Sequence, residues 1–308
     1  MMFGTREYFD YFQCSSCGCL QILRVPSDLQ RFYPPTYYSF NQPTPESSAS
    51  SLRRAMQKQR VKAALFGKGI RVSRFLAPFV RFPSSLRTYG ATIKKVSLTS
   101  FADPVLDVGC GSHSWWLNAL RRLGFDNLLG ADPYIEKDTC VGGIPVVKRA
   151  ISELSGQYRL ITFHHSLEHI PEQLETMRHA RRLLAPSGVC LVRIPTVSSS
   201  VWERYGTNWV ELDAPRHLYL HSRRSIELLG NRAGFELFDV VDDATEFEFA
   251  GSEQYMRDIP LFAEHSYLVN SAADTFSADQ MAQFRNEAAR VNAEHRAGRA
   301  GFFFRASA

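Results

Sequence analysis

From Pro104 onward the chain alternates short apolar runs with segments whose apolar residues recur at helical spacing. "PVLDV" reads as a strand, and "SWWLNALRRLGF" as a helix begun by Ser112 or Ser114 and ended near Gly124. "NLLGAD", "IPVVK" and "RLITFHH" give a second, third and fourth strand. "PEQLETMRHARRLLAPSG" is a helix with Pro171 at its start and Gly188 past its end. "VCLVRIP" is a fifth strand, apolar enough for the middle of a parallel sheet. A helix over 222–233 precedes "FELFDVV", and a long acidic, helical insertion near 250–298 precedes the closing "AGFFFRA". With no crossover helix between them, those two late strands are expected as an antiparallel pair at the sheet edge. The alternation predicts an α/β fold with a doubly wound, Rossmann-like sheet.

Upstream the pattern differs. Residues 1–45 hold Cys14, Cys17 and Cys19, then an aromatic, proline-rich stretch, "RFYPPTYYSFNQPTPESS", that ends as a linker. Residues 46–100 show loosely helical apolar spacing, broken at Gly67 and Gly69, and read as a helical accessory or lid region. Charge sharpens this division. Between Ser51 and Ser100 there are twelve Lys and Arg and no acid; the other 24 basic residues share the chain with all 31 acids, leaving that remainder at net −7. Such a block is a candidate surface for anionic lipid, phosphates or nucleic acid, or else a solvated helical face. Among the charges, Phe66, Phe75, Leu76 and Phe79 suit a membrane surface better than an RNA groove, and no specific nucleic-acid binding is expected. No run of eighteen apolar residues and no export signal occurs, so the expected location is cytoplasmic, peripheral to the inner face of the membrane.

The first strand leads into "VLDVGCGSHS", which carries Gly109 and Gly111 but lacks the third glycine of a dinucleotide turn. Asp107 before the turn would oppose a pyrophosphate but suits a ligand with a cationic sulfonium and an α-amino group, as in S-adenosylmethionine. Asp132 ends the second strand, where a carboxylate can accept both ribose hydroxyls.

With these motifs in order, 104–240 resembles a class I S-adenosylmethionine-dependent methyltransferase. "VLDVGCGS" is similar to the family's first motif, "LLGADPY" to its ribose-binding acid, "ITFHHSLEHIPE" to its fourth-strand motif, and "ARRLLAPSGVCLVRIPT" to the helix and strand that follow. The resemblance implies a seven-stranded sheet with an antiparallel edge strand, spanning 101–308 with the insertion. It implies that Asp107, Gly109 and Gly111 flank the methionine portion of the cofactor, Asp132 holds the ribose, Ala150 and Ile151 lie against adenine, and His164 adjoins the cofactor. The family often has glycine where His113 stands, which narrows the turn here.

Methyl transfer to a hydroxyl needs an in-line acceptor and a base. "HHSLEH" supplies His165, Glu168 and His169 as catalytic candidates, and only one of His164 and His165 can face the cleft. Ubiquinone O-methyltransferases and small-RNA 2′-O-methyltransferases bind a divalent metal through E-x-x-E-H plus a later histidine. The similarity implies His165, Glu168, His169 and His217 as a ligand set, with His165 where the family has Glu; three imidazoles favour a transition metal. Trp202, Tyr205, Trp209 and Tyr219 can stack on an acceptor or pack the fold. "FQCSSCGCLQI" resembles the second half of the zinc ribbon that precedes the catalytic domain in some sugar methyltransferases, and no second C-x-x-C completes it. The expected function is therefore O-methylation of a sugar hydroxyl on a surface polysaccharide or its precursor. Alternatives are a quinone-like small molecule or RNA as acceptor, or a non-catalytic cofactor-binding regulatory subunit.

Overall fold

The protein's structure, a computed structural model, describes residues 2–34, 51–96, 98–270 and 275–307. The linker expected beyond Pro34 lies outside them. The described residues form two compact units. One comprises 2–34, 165–175 and 192–302; the other comprises 51–164, 176–191 and 303–307.

The second unit holds most of a twisted α/β sheet. Its elements begin with α1 (Ser51–Phe66), α2 (Ile70–Leu76) and α3 (Ser84–Lys95). After β1 (Tyr11–Gln13) and β2 (Leu20–Ile22) of the first unit, the sheet strands are β3 (Val105–Val108), β4 (Leu128–Ala131), β5 (Thr139–Val141), β6 (Ile144–Val147) and β7 (Tyr158–His164). Helix α4 (Trp115–Leu123) links β3 to β4; α5 (Gln173–Leu183) precedes β8 (Leu184–Pro195). Strands β3, β4, β6 and β7 pair in parallel, with Asp107 opposite Gly130 on one side and Thr162 on the other. The apolar faces of α1, α3 and α4 close one core: Val61, Ile93, Trp116, Leu117 and Leu120 pack with Phe101, Phe125 and Leu160.

The sheet order is β10-β11-β8-β7-β3-β4-β6-β5, where β10 is Phe235–Asp242 and β11 is Arg299–Ala306. Eight strands stand where seven were expected. The extra one is β5, three residues too short for the hydrophobic pattern to reveal. It pairs antiparallel with β6 through Gly142 and Gly143, at φ +60° and +76°. Two consecutive positive φ values make the turn that matches strand twist, which is why two glycines occupy it. The fifth expected strand also starts earlier: β8 begins at Leu184, five residues before "VCLVRIP".

The first unit contains a three-stranded antiparallel sheet of β1, β2 and β9 (Tyr219–Leu220), with α6 (Ser200–Tyr205), α7 (Arg223–Arg232), α8 (Glu246–Met256) and α9 (Ala278–Ala293). Trp209, Phe249, Phe284 and Val291 centre its core, joined by Leu20 and Leu220 from the small sheet. The acidic insertion is thus α8 and α9, packed on this core.

Candidate active site

In the second unit the turn after β3 is organised by two carboxylates. Asp107, 2% exposed, accepts from Thr162 Oγ1 at 2.7 Å and from Ser114 Oγ at 2.5 Å. Ser114 is also the N-cap of α4, accepting from the Leu117 amide at 2.9 Å, so one hydroxyl ties the strand end to the helix start. Burial raises the Asp107 carboxyl to about 6, against the two hydroxyls that favour its charged form. Gly109 and Gly111 take φ of +71° and +69°, conformations closed to most side chains. Asp132 accepts from the Gly111 amide and the Tyr134 amide, both at 2.8 Å, which fixes its carboxylate against the glycine turn. Ala150 and buried Ile151 start a 3-10 turn after β6, closed by Glu153 accepting from the Ala150 amide at 2.7 Å. His164, at the end of β7, lies against Trp115 and Trp116, ring centroids 5.2 and 5.0 Å away.

In the first unit Glu168, His169 and His217 each bring one donor atom within 4.8 Å of the others. Glu168 and His169 sit on a 3-10 turn, Leu167–His169, and His217 lies just before β9; the Leu218 amide donates to the Glu168 carbonyl at 2.8 Å and fixes one to the other. His217 Nδ1 faces the Glu211 carbonyl at 2.8 Å, and His169 Nδ1 faces the Arg216 carbonyl at 2.9 Å. A carbonyl only accepts, so both Nδ1 atoms carry the proton and both Nε2 atoms present a lone pair. Burial pulls His169 down to about 3, helped by His217, and lowers His217 as well, so both rings are neutral at ordinary pH. Tyr33 OH is 3.2 Å from His169 Nδ1, and the Tyr11 hydroxyl donates to the His217 carbonyl at 2.7 Å.

Glu168 is fully buried, and neither carboxyl oxygen accepts a hydrogen bond from another of the described residues. Burial pushes its pKa well up, and nearby Glu211 adds to the rise. A buried carboxyl left in this state costs free energy unless something supplies positive charge or protons. Two bare imidazole nitrogens beside it complete a donor set that fits a first-row divalent cation.

His165 stands apart from that set. Its backbone has φ +52°, unusual for a residue with a side chain, and its amide donates to the Arg193 carbonyl at 2.9 Å. Arg193 Nη1 reaches His165 Nε2 at 2.7 Å, which places the ring proton on Nδ1, facing Glu168 Oε1 at 3.5 Å. With one nitrogen accepting and the other protonated, His165 offers no lone pair to a metal or a substrate proton. Arg193 in turn pairs with Asp243; Asp243 takes Arg299 Nε at 3.1 Å; Arg299 Nη1 reaches Glu211 at 3.3 Å. Glu211 closes the circuit through its carbonyl on His217. Burial would raise Asp243, but Arg193 and Arg299 hold it below its ordinary value.

A family model described as a methyltransferase domain matches residues 48–240. The chain belongs to that family, the class I S-adenosylmethionine-dependent methyltransferases. Among curated proteins this methyltransferase is similar to the ubiquinone biosynthesis O-methyltransferase of Psychrobacter cryohalolentis, 33% identical over 101 residues, which are 29% of this chain and 39% of the relative. The chain therefore spans well under half of that relative. Solved structures similar in fold include the CcbJ methyltransferase from Streptomyces caelestis (16% identity, 73% of this chain and 91% of that one, TM-score 0.43). Another is an S-adenosylmethionine-dependent methyltransferase from Archaeoglobus fulgidus (17% identity, 72% and 91%, TM-score 0.43).

In this methyltransferase the aromatic residues between β8 and α7 mostly serve packing. Trp209 is fully buried against Trp202, and Tyr205 donates to Glu253 at 2.9 Å beside Phe249. They hold α8 rather than the basic helices. Tyr219 keeps a partly exposed ring and donates to the Pro171 carbonyl at 3.2 Å. The cysteine cluster is the turn between β1 and β2. The amides of Cys17 and Ser16 hold the Cys14 thiol below its ordinary pKa, whereas buried Cys19 points away, 3.9 Å from His221, and is pushed up to about 12. Sequence reasoning missed Arg193, Asp243 and Arg299. Arg193, the one charge in "VCLVRIP", was the available signal.

Proposed function

We propose that this methyltransferase transfers the methyl group of S-adenosylmethionine to a hydroxyl oxygen, with Glu168, His169 and His217 holding a divalent metal. The observation that carries the reading is Glu168: a wholly buried carboxyl that accepts no hydrogen bond from another of the described residues, beside two imidazoles whose Nδ1 protons leave Nε2 as the lone-pair nitrogen. When bound, the metal would supply positive charge that acidifies an acceptor hydroxyl. Asp107, Gly109, Gly111 and Asp132 bind the donor, Asp132 taking the ribose and Asp107 offering negative charge to the amino and sulfonium groups. Ala150, Ile151 and His164 contact the rest of the cofactor. His169, kept neutral by burial, offers its Nε2 to the metal or as hydrogen-bond acceptor to the substrate hydroxyl, so that the metal rather than the imidazole would acidify that hydroxyl. His165 and Arg193 position Glu168.

For the acceptor we propose a sugar hydroxyl on a lipid- or nucleotide-linked polysaccharide precursor at the cytoplasmic face of the membrane. The cysteine turn before the catalytic region and the basic segment support this reading. A phenolic, quinone-like acceptor is the second reading, favoured by the partial similarity to a ubiquinone biosynthesis O-methyltransferase. Transfer of labelled methyl from S-adenosylmethionine should be assayed against lipid-linked glycans, polyphenols and RNA, with Mn²⁺, Zn²⁺ or a chelator. Label on the glycan, reduced by chelation, is the expected result. Label on a polyphenol alone would replace the sugar reading, and metal-independent transfer would remove the metal.

A further inference from the structure

Helix α2 is turned inside out. Of its seven residues only Ser73 is buried, while Ile70, Val72 and Phe75 are 49%, 51% and 74% exposed. Phe79, 67% exposed, follows in the next turn with its ring 6.1 Å from that of Phe75, and Phe82 is 44% exposed. Neighbouring helices of the same segment behave ordinarily: α1 buries Val61, and Leu65 and Phe66 pack on the core, while α3 buries Ile93 with Leu86 and Tyr89. An exposed Leu on a surface is normal, but several large apolar side chains in thirteen residues mark an interaction site.

The patch is held in place. Arg60 of α1 donates to the Val80 carbonyl and stacks its guanidinium 4.0 Å from the Phe82 ring, and Gln57 donates to the Arg81 carbonyl at 3.2 Å. Val80, between Phe79 and Phe82 in the chain, is buried. Around them Lys68, Arg71, Arg74, Arg81 and Arg87 are all exposed, and none has an acidic partner among the described residues. The segment has no acid at all between Ser51 and Ser100.

We infer that α2 and the following turn to Phe82 form a wedge that docks on an anionic lipid surface, with Ile70, Phe75 and Phe79 entering the headgroup boundary and the arginines meeting lipid phosphates. Charge decides the occupant. A second copy of this chain would bring the same five positive charges against a rim that holds no acid between Ser51 and Ser100. RNA would meet aliphatic Ile70 and Val72 where stacking platforms are needed. An anionic bilayer satisfies both the apolar centre and the basic rim. No helix among the described residues is long and apolar enough to span a membrane, so contact is at the surface. The inference shares with the proposed function only the idea of a lipid-borne acceptor, and the test below uses no substrate, so each can fail alone.

The test is flotation of the full chain with vesicles of phosphatidylcholine alone, or of phosphatidylcholine with phosphatidylglycerol, at low and high salt. Binding to the anionic vesicles alone, weakened by salt, is expected. Phe75→Ser with Phe79→Ser should lower it by about tenfold or more, since two exposed rings lose their burial. Arg71→Gln and Arg74→Gln should each lower it about fivefold. Both sets are at the surface and should leave cofactor binding and melting temperature unchanged. Equal binding to neutral vesicles, no binding to either, or full binding by the phenylalanine double variant would overturn the wedge. So would salt-sensitive binding to a generic oligonucleotide tighter than to anionic vesicles, or a dimer that the phenylalanine changes dissolve.

Discussion

Arg193 donates from Nη1 to Nε2 of His165 across 2.7 Å. Because a guanidinium cannot accept, this contact fixes the imidazole tautomer and turns its Nδ1–H toward Glu168. With both ring nitrogens engaged, His165 would serve as a positioning residue rather than a base. Replacing Arg193 by Met should cost about 2 kcal/mol, below the usual 3–5 for a fully buried pair because the Asp243 side chain is 33% exposed. Turnover should fall at least about tenfold while S-adenosylhomocysteine affinity, measured by calorimetry, stays within about twofold. A large loss of cofactor affinity would mean the circuit serves the donor site instead.

Glu168→Gln separates stability from metal binding. Removing a buried carboxyl that accepts no hydrogen bond from another described residue should raise the melting temperature of the metal-free protein, by an amount equivalent to about 1 kcal/mol. The same change should abolish the stabilisation by Mn²⁺ or Co²⁺ and the visible spectrum of a Co²⁺-loaded site. His217→Ala should also lose the metal response, but without the gain in stability. A normal Co²⁺ spectrum in either variant would move the metal elsewhere.

Asp107 predicts a pH dependence of cofactor binding. Its folded-state pKa of about 6 lies above the unfolded value of about 3.9, so its stabilising contribution to the empty fold is complete below that lower value and lost as pH rises through 6. A cationic ligand prefers the ionised form. Affinity for S-adenosylmethionine should therefore fall by up to about tenfold per unit below pH 6 and be level above it. Calorimetry at pH 5, 6 and 7.5 reads this directly, and Asp107→Asn should flatten the profile.

Ser114 joins a helix cap to that carboxylate. Ser114→Ala should cost about 1–2 kcal/mol in urea unfolding and shift the Asp107 transition upward, since one donor to the charged form is lost. Ser114→Thr keeps the hydroxyl and should restore both. Asp132→Ala leaves that cap alone and should weaken S-adenosylmethionine binding by about 1.5–3 kcal/mol, the cost of charged hydrogen bonds.

Much of the fold was determined by the sequence itself. Strand and helix periods, the cap at Ser114 and the stop at Gly124 are local properties, and the parallel sheet follows from their alternation. The turn proposed to bind the donor was legible for the same reason: Asp107, Gly109 and Gly111 are near neighbours in the chain, and Asp132 follows at the end of the next strand. The short β5 escaped because three residues carry no usable period; its two glycines were the only local sign. The Glu168, His169 and His217 grouping was reached through a motif, but the tautomers that leave both Nε2 atoms with a lone pair depend on carbonyls of Glu211 and Arg216. Likewise His165 looked like a ligand until Arg193, 28 residues away, took its lone pair. In the basic block the sequence determined charge and helicity, not which apolar residues face inward. Val61, Ile93 and Phe75 look alike in the pattern; only packing against Phe101, Phe125 and Trp116 buries the first two, and nothing among the described residues covers the third. Periodicity tells which residues share a face of an element, and tertiary contacts decide which face has a partner.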